Sequence, residues 1–200
     1  MKKKTGGLRS TIQLSLGEYV ETLSSLVYEH YQRAMSDEAL FSSLALSEQE
    51  QAQFSVEYAT VLLVIASLAF KAKPKLTDEK YLRRIQERTA EATFQKLLQD
   101  GDEETIQACV GLYRQKLEVF SQICKRIYSK EAALRQQDIV GFSRMLIAQL
   151  RPGAEEANLA AIQRAGICLS EATDTFIALV TSTVQDSVRL DGKPTFAVLT

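Results

Sequence analysis

His30 is the only imidazole in a chain of 200 residues, and its residue type makes it the first candidate for chemistry. It follows Glu29 and lies near Tyr28 and Tyr31, where an imidazole could act as a general base or a metal ligand. Successive residues on a helix project about 100° apart, whereas a di-iron bundle needs Glu and His three positions apart on two helices. We therefore expect His30 at a solvent edge or in a hydrogen bond, with no metal site, no cofactor and no enzymatic activity.

Other residues typical of metal sites are arranged unfavourably as well. Cys109, Cys124 and Cys168 are far apart and form no CxxC motif, so we expect reduced, buried thiols. The acidic segment 100–104 is similar to the start of a calcium loop, but Thr105 occupies the sixth position, where such loops need Gly. The end of one helix and the cap of the next explain these acidic residues.

Aromatic and titratable residues on two predicted helices could form a ligand pocket. Aromatic side chains would supply the walls, and the imidazole or a carboxylate would supply a polar anchor. The candidate pocket residues, between helices one and three, are Tyr19, His30, Tyr31, Phe54, Glu57 and Tyr58. Aromatic residues at helical spacing also form ordinary cores, so the same set could simply be packed, with Glu57 facing solvent. Both interpretations stay open from the sequence.

A basic segment offers a second candidate site. Residues 71–88 contain seven basic side chains against three acidic ones. The candidate anion-binding residues are Lys80, Arg83, Arg84 and Arg88. The alternative is the solvated face of an edge helix, because no aromatic platform accompanies these charges. Over the whole chain, 24 basic and 25 acidic side chains give a net charge of −1, which argues against a nucleic-acid partner.

The scarcity of Pro and Gly predicts the secondary structure that positions these residues. It contains 3 Pro and 9 Gly, and the stretches between them repeat apolar residues every three or four positions. This pattern predicts an all-α, multi-helix bundle of about six to seven helices joined by short loops. The predicted helices span 11–35, 36–44, 48–73, 77–99, a fifth beginning after Asp102, then 131–150 and a long C-terminal helix at 154–190. Whether the fifth and sixth are continuous stays open.

Two patterns predict how these helices pack. Residues 59–70 are apolar on every side, which places helix three at the centre of the fold. Helix five has apolar residues at alternating spacings of three and four, and this seam is Ile106, Val110, Tyr113, Leu117, Phe120, Cys124 and Ile127. The last helix has a similar stripe in which Gly166 allows close approach. The surplus of such stripes favours a homodimer.

The ends of the chain are predicted to differ from its middle. Residues 1–10 form a flexible basic tail, 11–190 a single helical-bundle domain and 191–200 an extended C-terminal tail. Glu18 and Glu21 interrupt the apolar run that a secretory signal needs. The apolar stretch 59–70 is shorter than the roughly 20 residues that cross a bilayer. We therefore expect a cytoplasmic protein with no transmembrane segment.

These patterns favour a non-enzymatic helical protein that acts through protein–protein interaction, as a homodimer or with another protein partner. The alternative is a small-molecule sensor, a regulatory bundle with its apolar pocket between helices one and three. An enzyme built on His30 and Glu57 ranks last, because the sequence supplies neither with a catalytic partner.

Overall fold

The computed structural model describes residues 11–42, 44–74, 76, 78–99, 101–129, 131–150, 158–190 and 193–199. Its helices are α1 (Leu16–Met35), α2 (Glu38–Ser42), α3 (Glu48–Ala69), α4 (Glu79–Leu97), α5 (Glu103–Ile123), α6 (Ala132–Leu150) and α7 (Leu159–Ser182). A single turn of 3₁₀ helix, Phe70–Ala72, follows α3. The strands are β1 (Thr11–Ser15), β2 (Thr183–Leu190) and β3 (Lys193–Leu199). The predicted all-α bundle is confirmed, with a small sheet beside the start of α1 and the end of α7. The predicted basic tail, 1–10, lies outside the described residues.

Capping boxes set where α1 and α3 begin. At α3 the Ser47 hydroxyl accepts from the Glu50 backbone N–H, and the Glu50 carboxylate accepts from the Ser47 N–H. The same reciprocal arrangement of Ser15 and Glu18 starts α1. The predicted start of helix one at residue 11 is therefore wrong by five residues, because the capping box satisfies the first free N–H groups of the helix at Ser15.

The central position predicted for helix three is confirmed. Every side chain from Tyr58 to Phe70 is buried, and α1, α4, α5, α6 and α7 all contact this helix. Glu48–Ala72 is the one helix in the described ranges that is long and apolar enough to cross a bilayer, and 78% of its apolar window is buried inside the bundle. This burial is the pattern of a core helix, whose apolar surface is covered by other helices.

The predicted end of the last helix, near Leu190, is wrong. The helix ends at Ser182, and Thr183 takes the extended backbone conformation, with φ −81° and ψ 134°. The following strand is rich in β-branched residues such as Val184 and Val188, which lower helix propensity and favour strands. The Thr183 hydroxyl donates to the Leu179 carbonyl at 2.7 Å and so satisfies a terminal acceptor of α7.

The C-terminal segment predicted as an extended tail contributes the middle strand of a three-stranded antiparallel sheet. The strand order is β1–β3–β2, so β3 hydrogen-bonds to both neighbours. Leu14 of β1 is opposite Phe196 of β3, and Gln185 of β2 is opposite the same residue. The two ends of the chain are therefore joined by backbone pairing, which the helical spacing of the sequence does not indicate.

The apolar stripes of α5 and α7 are covered within the chain. Six of the seven α5 seam residues are buried, and Leu117 is half-buried. On α7, a Cβ at Gly166 would lie 3.3 Å from the Ser143 hydroxyl of α6, so α6 makes the predicted close approach. Helices α5 and α6 are separate, with a break from Cys124 to Glu131. The stripes that favoured a homodimer are thus covered by this chain's own helices, and a dimer needs another surface.

Candidate functional site

Tyr19 lies against the sheet and away from the other candidate pocket residues on α3. Its ring stacks on Phe196 of β3 with the ring centroids 4.7 Å apart. Its hydroxyl lies 3.4 Å from the Thr183 hydroxyl, and burial raises the pKa of Tyr19 to about 12. This residue is therefore a neutral core side chain that holds the C-terminal strand on α1.

His30 is buried between α1 and α7. Its ring meets Phe176 edge-on, with the centroids 5.7 Å apart, and its residual exposure is 7%. Burial is the main cause that lowers the pKa of His30, and the Arg33 charge adds to it, while Glu171 and Glu29 partly oppose them. The imidazole is therefore a neutral packing group at neutral pH.

We expect the protein to lose stability as the pH falls from about 7 to about 5, partly because of His30. Its pKa is lower in the folded than in the unfolded chain, so the unfolded chain binds more protons in this window and acid favours unfolding. His30→Gln stays neutral and removes this contribution. Urea midpoints of both proteins, followed by circular dichroism at the two pH values, should show the smaller decline in the variant. An equal decline of the urea midpoint in the two proteins would contradict a contribution of His30 to the loss of stability.

Phe54 and Tyr58 pack in the core, so they leave no cavity between themselves. Both are fully buried, their centroids are 5.7 Å apart, and Phe54 also meets Phe41 of α2 edge-on. Of the six candidate pocket residues, Tyr31 lines an open cleft of about 530 Å³ between α1, α2 and α3. Its hydroxyl is 2.6 Å from the Ser55 hydroxyl. The structure thus does not gather the six residues around one cavity.

Glu57 belongs to a polar cluster on the other side of α3. Its carboxylate forms an ion pair with Lys116 of α5, and the two side chains are 15% and 12% exposed. With its amide oriented to suit both neighbours, Gln149 of α6 donates to Glu57 at 3.1 Å and accepts from Lys116 at 3.1 Å. The cluster connects α3, α5 and α6. Between α5 and α6 the connection is made by side chains, because the Cα atoms of these two helices stay more than 8 Å apart. Its role is structural, since each charge is matched.

A thiol and a carboxylate meet at the junction of α2 and α7. The Cys168 Sγ lies 3.9 Å from an Asp37 oxygen, which also accepts from Arg164 at 2.5 Å. Burial raises the pKa of the Cys168 thiol, and the nearby Asp37 charge raises it further. The buried Tyr58 hydroxyl nearby has no hydrogen-bond partner in the described residues. A protonated thiol beside a paired carboxylate is a weak nucleophile.

The four candidate anion-binding residues are exposed on α4, but they are not equivalent. Arg83 pairs with Glu79 at 2.6 Å along the helix. Lys80, Arg84 and Arg88 follow one another at intervals of four and form a solvent-facing row. In the described residues no carboxylate forms an ion pair with this row. Anion binding by the row stays a prediction.

The largest described cleft was not predicted. We call it the α3–α4–α5 cleft, and its volume is about 810 Å³. At its floor the Ser67 hydroxyl of α3 lies 2.7 Å from the Tyr113 hydroxyl of α5. Its wall includes Leu82 of α4 and Leu117 of α5. One sequence signal could have indicated it, a serine inside an otherwise apolar helix, which needs a polar partner when buried.

A second feature that the sequence analysis missed is the exposed side of α5. We call it the α5 outer face, and it consists of Ala108, Leu112, Gln115, Val119 and Ile123. At about 100° per residue these positions fall within about 80° of arc. Val119 is 56% exposed and Ile123 is 63% exposed, and none of the five residues is charged. The signal was present in the sequence as apolar residues four positions apart outside the buried seam.

Comparison with known proteins adds no assignment to these sites. No protein-family model, curated protein or solved structure matches the chain. The candidate sites are therefore supported by their geometry alone.

Metal-ligand residues do not converge in the part of the chain that the structure describes. No group of three or more His, Cys, Asp or Glu side chains there could hold an ion. The two surfaces with unexplained features are the α3–α4–α5 cleft and the α5 outer face.

Proposed function

We propose that this chain is a non-enzymatic, cytoplasmic helical protein that acts through protein–protein contact, as a homodimer joined at the α5 outer face. The observation that carries the proposal is the exposure of Val119 and Ile123 in a stripe without charge. Isolated exposed apolar residues are ordinary, but an apolar stripe along one helix is typical of an interaction surface.

A second copy of the chain suits this face when the two α5 helices run antiparallel about a twofold axis near Gln115. That register places Ala108 opposite Ile123 of the second copy and Leu112 opposite Val119. The small Ala108 then faces the larger Ile123, which lets the two helices approach closely at both ends of the face. Because the apolar part of the face is only about 22 Å long at 1.5 Å per residue, we expect a dissociation constant in the micromolar range.

Charge at the ends of α5 also favours the antiparallel arrangement. The helix begins with Glu103 and Glu104, and it is followed by the exposed Lys125 and Arg126. In an antiparallel pair the acidic end of one helix lies near the basic end of the other, and the two helix dipoles oppose each other favourably. A parallel pair would instead bring like charges together at both ends.

Sedimentation velocity over a micromolar concentration range tests the dimer. Wild type should shift from monomer to dimer as its concentration rises, and Val119→Glu should weaken dimerisation at least tenfold, because it places two carboxylates in an apolar contact. Ile167→Glu is the matched control, since Ile167 is 49% exposed on α7, and it should leave dimerisation unchanged. A wild type that stays monomeric, or equal effects of the two substitutions, would overturn the proposal.

Binding of a small molecule is a second candidate function. The α3–α4–α5 cleft supports it through its volume, which lies in the range typical of ligand sites. The predicted pocket between α1 and α3 does not support it, because Phe54 and Tyr58 are fully buried by packing.

A further inference from the structure

The floor of the α3–α4–α5 cleft contains two hydroxyl groups and one hydrogen bond. Ser67 and Tyr113 are 7% and 1% exposed, and their oxygens are 2.7 Å apart. One hydroxyl donates to the other, so its partner keeps a hydrogen that needs an acceptor. In the described ranges neither hydroxyl forms a second hydrogen bond. The pair therefore presents one unused donor at the floor of the cleft.

The wall around this donor is mainly apolar. Leu68 and Phe70 are buried at the end of α3 and beyond it, while Leu82 and Leu117 are half-buried on the two flanking helices. A hydroxyl donor within an apolar wall is a common way to orient a ligand, because the wall gives affinity and the single polar contact gives direction. A ligand of this cleft would thus place one acceptor oxygen inward and apolar groups along the helices.

Three cations and three carboxylates line the cleft, so their charges sum to zero: Lys71, Arg83 and Arg114 against Glu79, Glu87 and Glu118. Arg83 pairs with Glu79 at 2.6 Å, and Arg114 pairs with Glu87 at 3.3 Å. The remaining rim cation, Lys71, donates to the Ser121 carbonyl at 3.1 Å. Cations that already have partners offer little net attraction to an anion. An uncharged ligand needs no oppositely charged side chain in this cleft.

We propose that the α3–α4–α5 cleft binds an uncharged, mainly apolar molecule through a carbonyl oxygen that accepts a hydrogen bond from the Ser67–Tyr113 pair. The volume of about 810 Å³ accommodates a molecule of several fused or linked rings. The site is distinct from the α5 outer face, because none of the α5 residues that line the cleft belongs to that face: Tyr113, Arg114, Leu117, Glu118 and Ser121. The inference therefore does not depend on the homodimer.

The probe is prodan, a neutral naphthyl ketone, compared with dimethylaminonaphthalene, the same ring system without the ketone. Fluorescence anisotropy should show that the wild type binds prodan about tenfold more tightly, the effect of one hydrogen bond. The double variant Ser67→Ala with Tyr113→Phe removes only two oxygens. It should bind both probes with equal affinity, at the wild-type affinity for the ring system without the ketone.

Two further variants locate the binding. Leu117→Trp places a bulkier side chain in the cleft and should weaken binding of both probes at least tenfold, with Leu82→Trp replacing it if circular dichroism shows a loss of helix. Ala52→Trp makes the same kind of change in the cleft between α1, α2 and α3 and should change neither affinity. Undetectable binding of prodan to the wild type would mean that water alone meets the donor, and it would overturn the proposal. A preference for the ketone in the double variant, or unchanged binding by the variant with Trp in the cleft, would also overturn the proposal.

Discussion

Replacing Lys116 by Met should destabilise the protein by about 3 kcal/mol, the cost of leaving a buried charge without its partner. The Met side chain keeps most of the volume of the Lys stem, so loss of packing contributes little. The Glu57 carboxylate is only 15% exposed and would keep one hydrogen bond, from Gln149. Urea unfolding followed by circular dichroism should show a lower midpoint with an unchanged slope.

A double variant separates the charge from the packing. Glu57→Leu with Lys116→Met replaces the ion pair by two apolar side chains, and we expect its stability to lie within about 1 kcal/mol of wild type. Gln149 is exposed and can turn its amide to water. If the double variant were as unstable as the sum of the two single variants, the coupling between Glu57 and Lys116 would be zero, and the expected compensation between the two charges would be contradicted.

Replacing Phe196 by Ala should destabilise the protein by about 3–5 kcal/mol, as large-to-small changes in a packed core do. Phe196 is fully buried, stacks on Tyr19 and sits in the middle strand of the sheet. Its removal leaves a cavity between α1 and the sheet, and it weakens the docking of β3 on both neighbouring strands. Chemical unfolding at equilibrium, followed by circular dichroism, measures the loss.

The matched control for this prediction is Ile12→Ala, on the neighbouring strand. Ile12 is 51% exposed and lies opposite Val198 in the same sheet, so its truncation should cost less than about 1 kcal/mol. Comparable losses in the two variants would mean that Phe196 is not packed in solution as it is in the structure, and that β3 is held by its backbone alone.

The predicted pocket between α1 and α3 shows which features of a site this sequence could not predict. His30 was expected at a solvent edge or in a hydrogen bond, whereas its ring is buried and packs on Phe176 of α7. The aromatic residues of the predicted pocket were correctly placed on α1 and α3, but their spacing is the same for a lined cavity and for a filled core. Phe54 and Tyr58 are fully buried, so packing decides between the two. Ser67 and Tyr113 lie 46 positions apart, and no local pattern relates them.

The sequence by itself determined the helices, the capping box at Ser47 and Glu50, and the central place of α3. These features depend on interactions within a few positions of the chain, so spacing and residue type are enough to predict them. The tertiary structure decided which surfaces cover the stripes of α5 and α7, that Glu57 meets Lys116, and that β1 pairs with β3. An apolar stripe predicts that something covers it, but the covering element is chosen by contacts between residues distant in the chain, through the packing of the whole bundle.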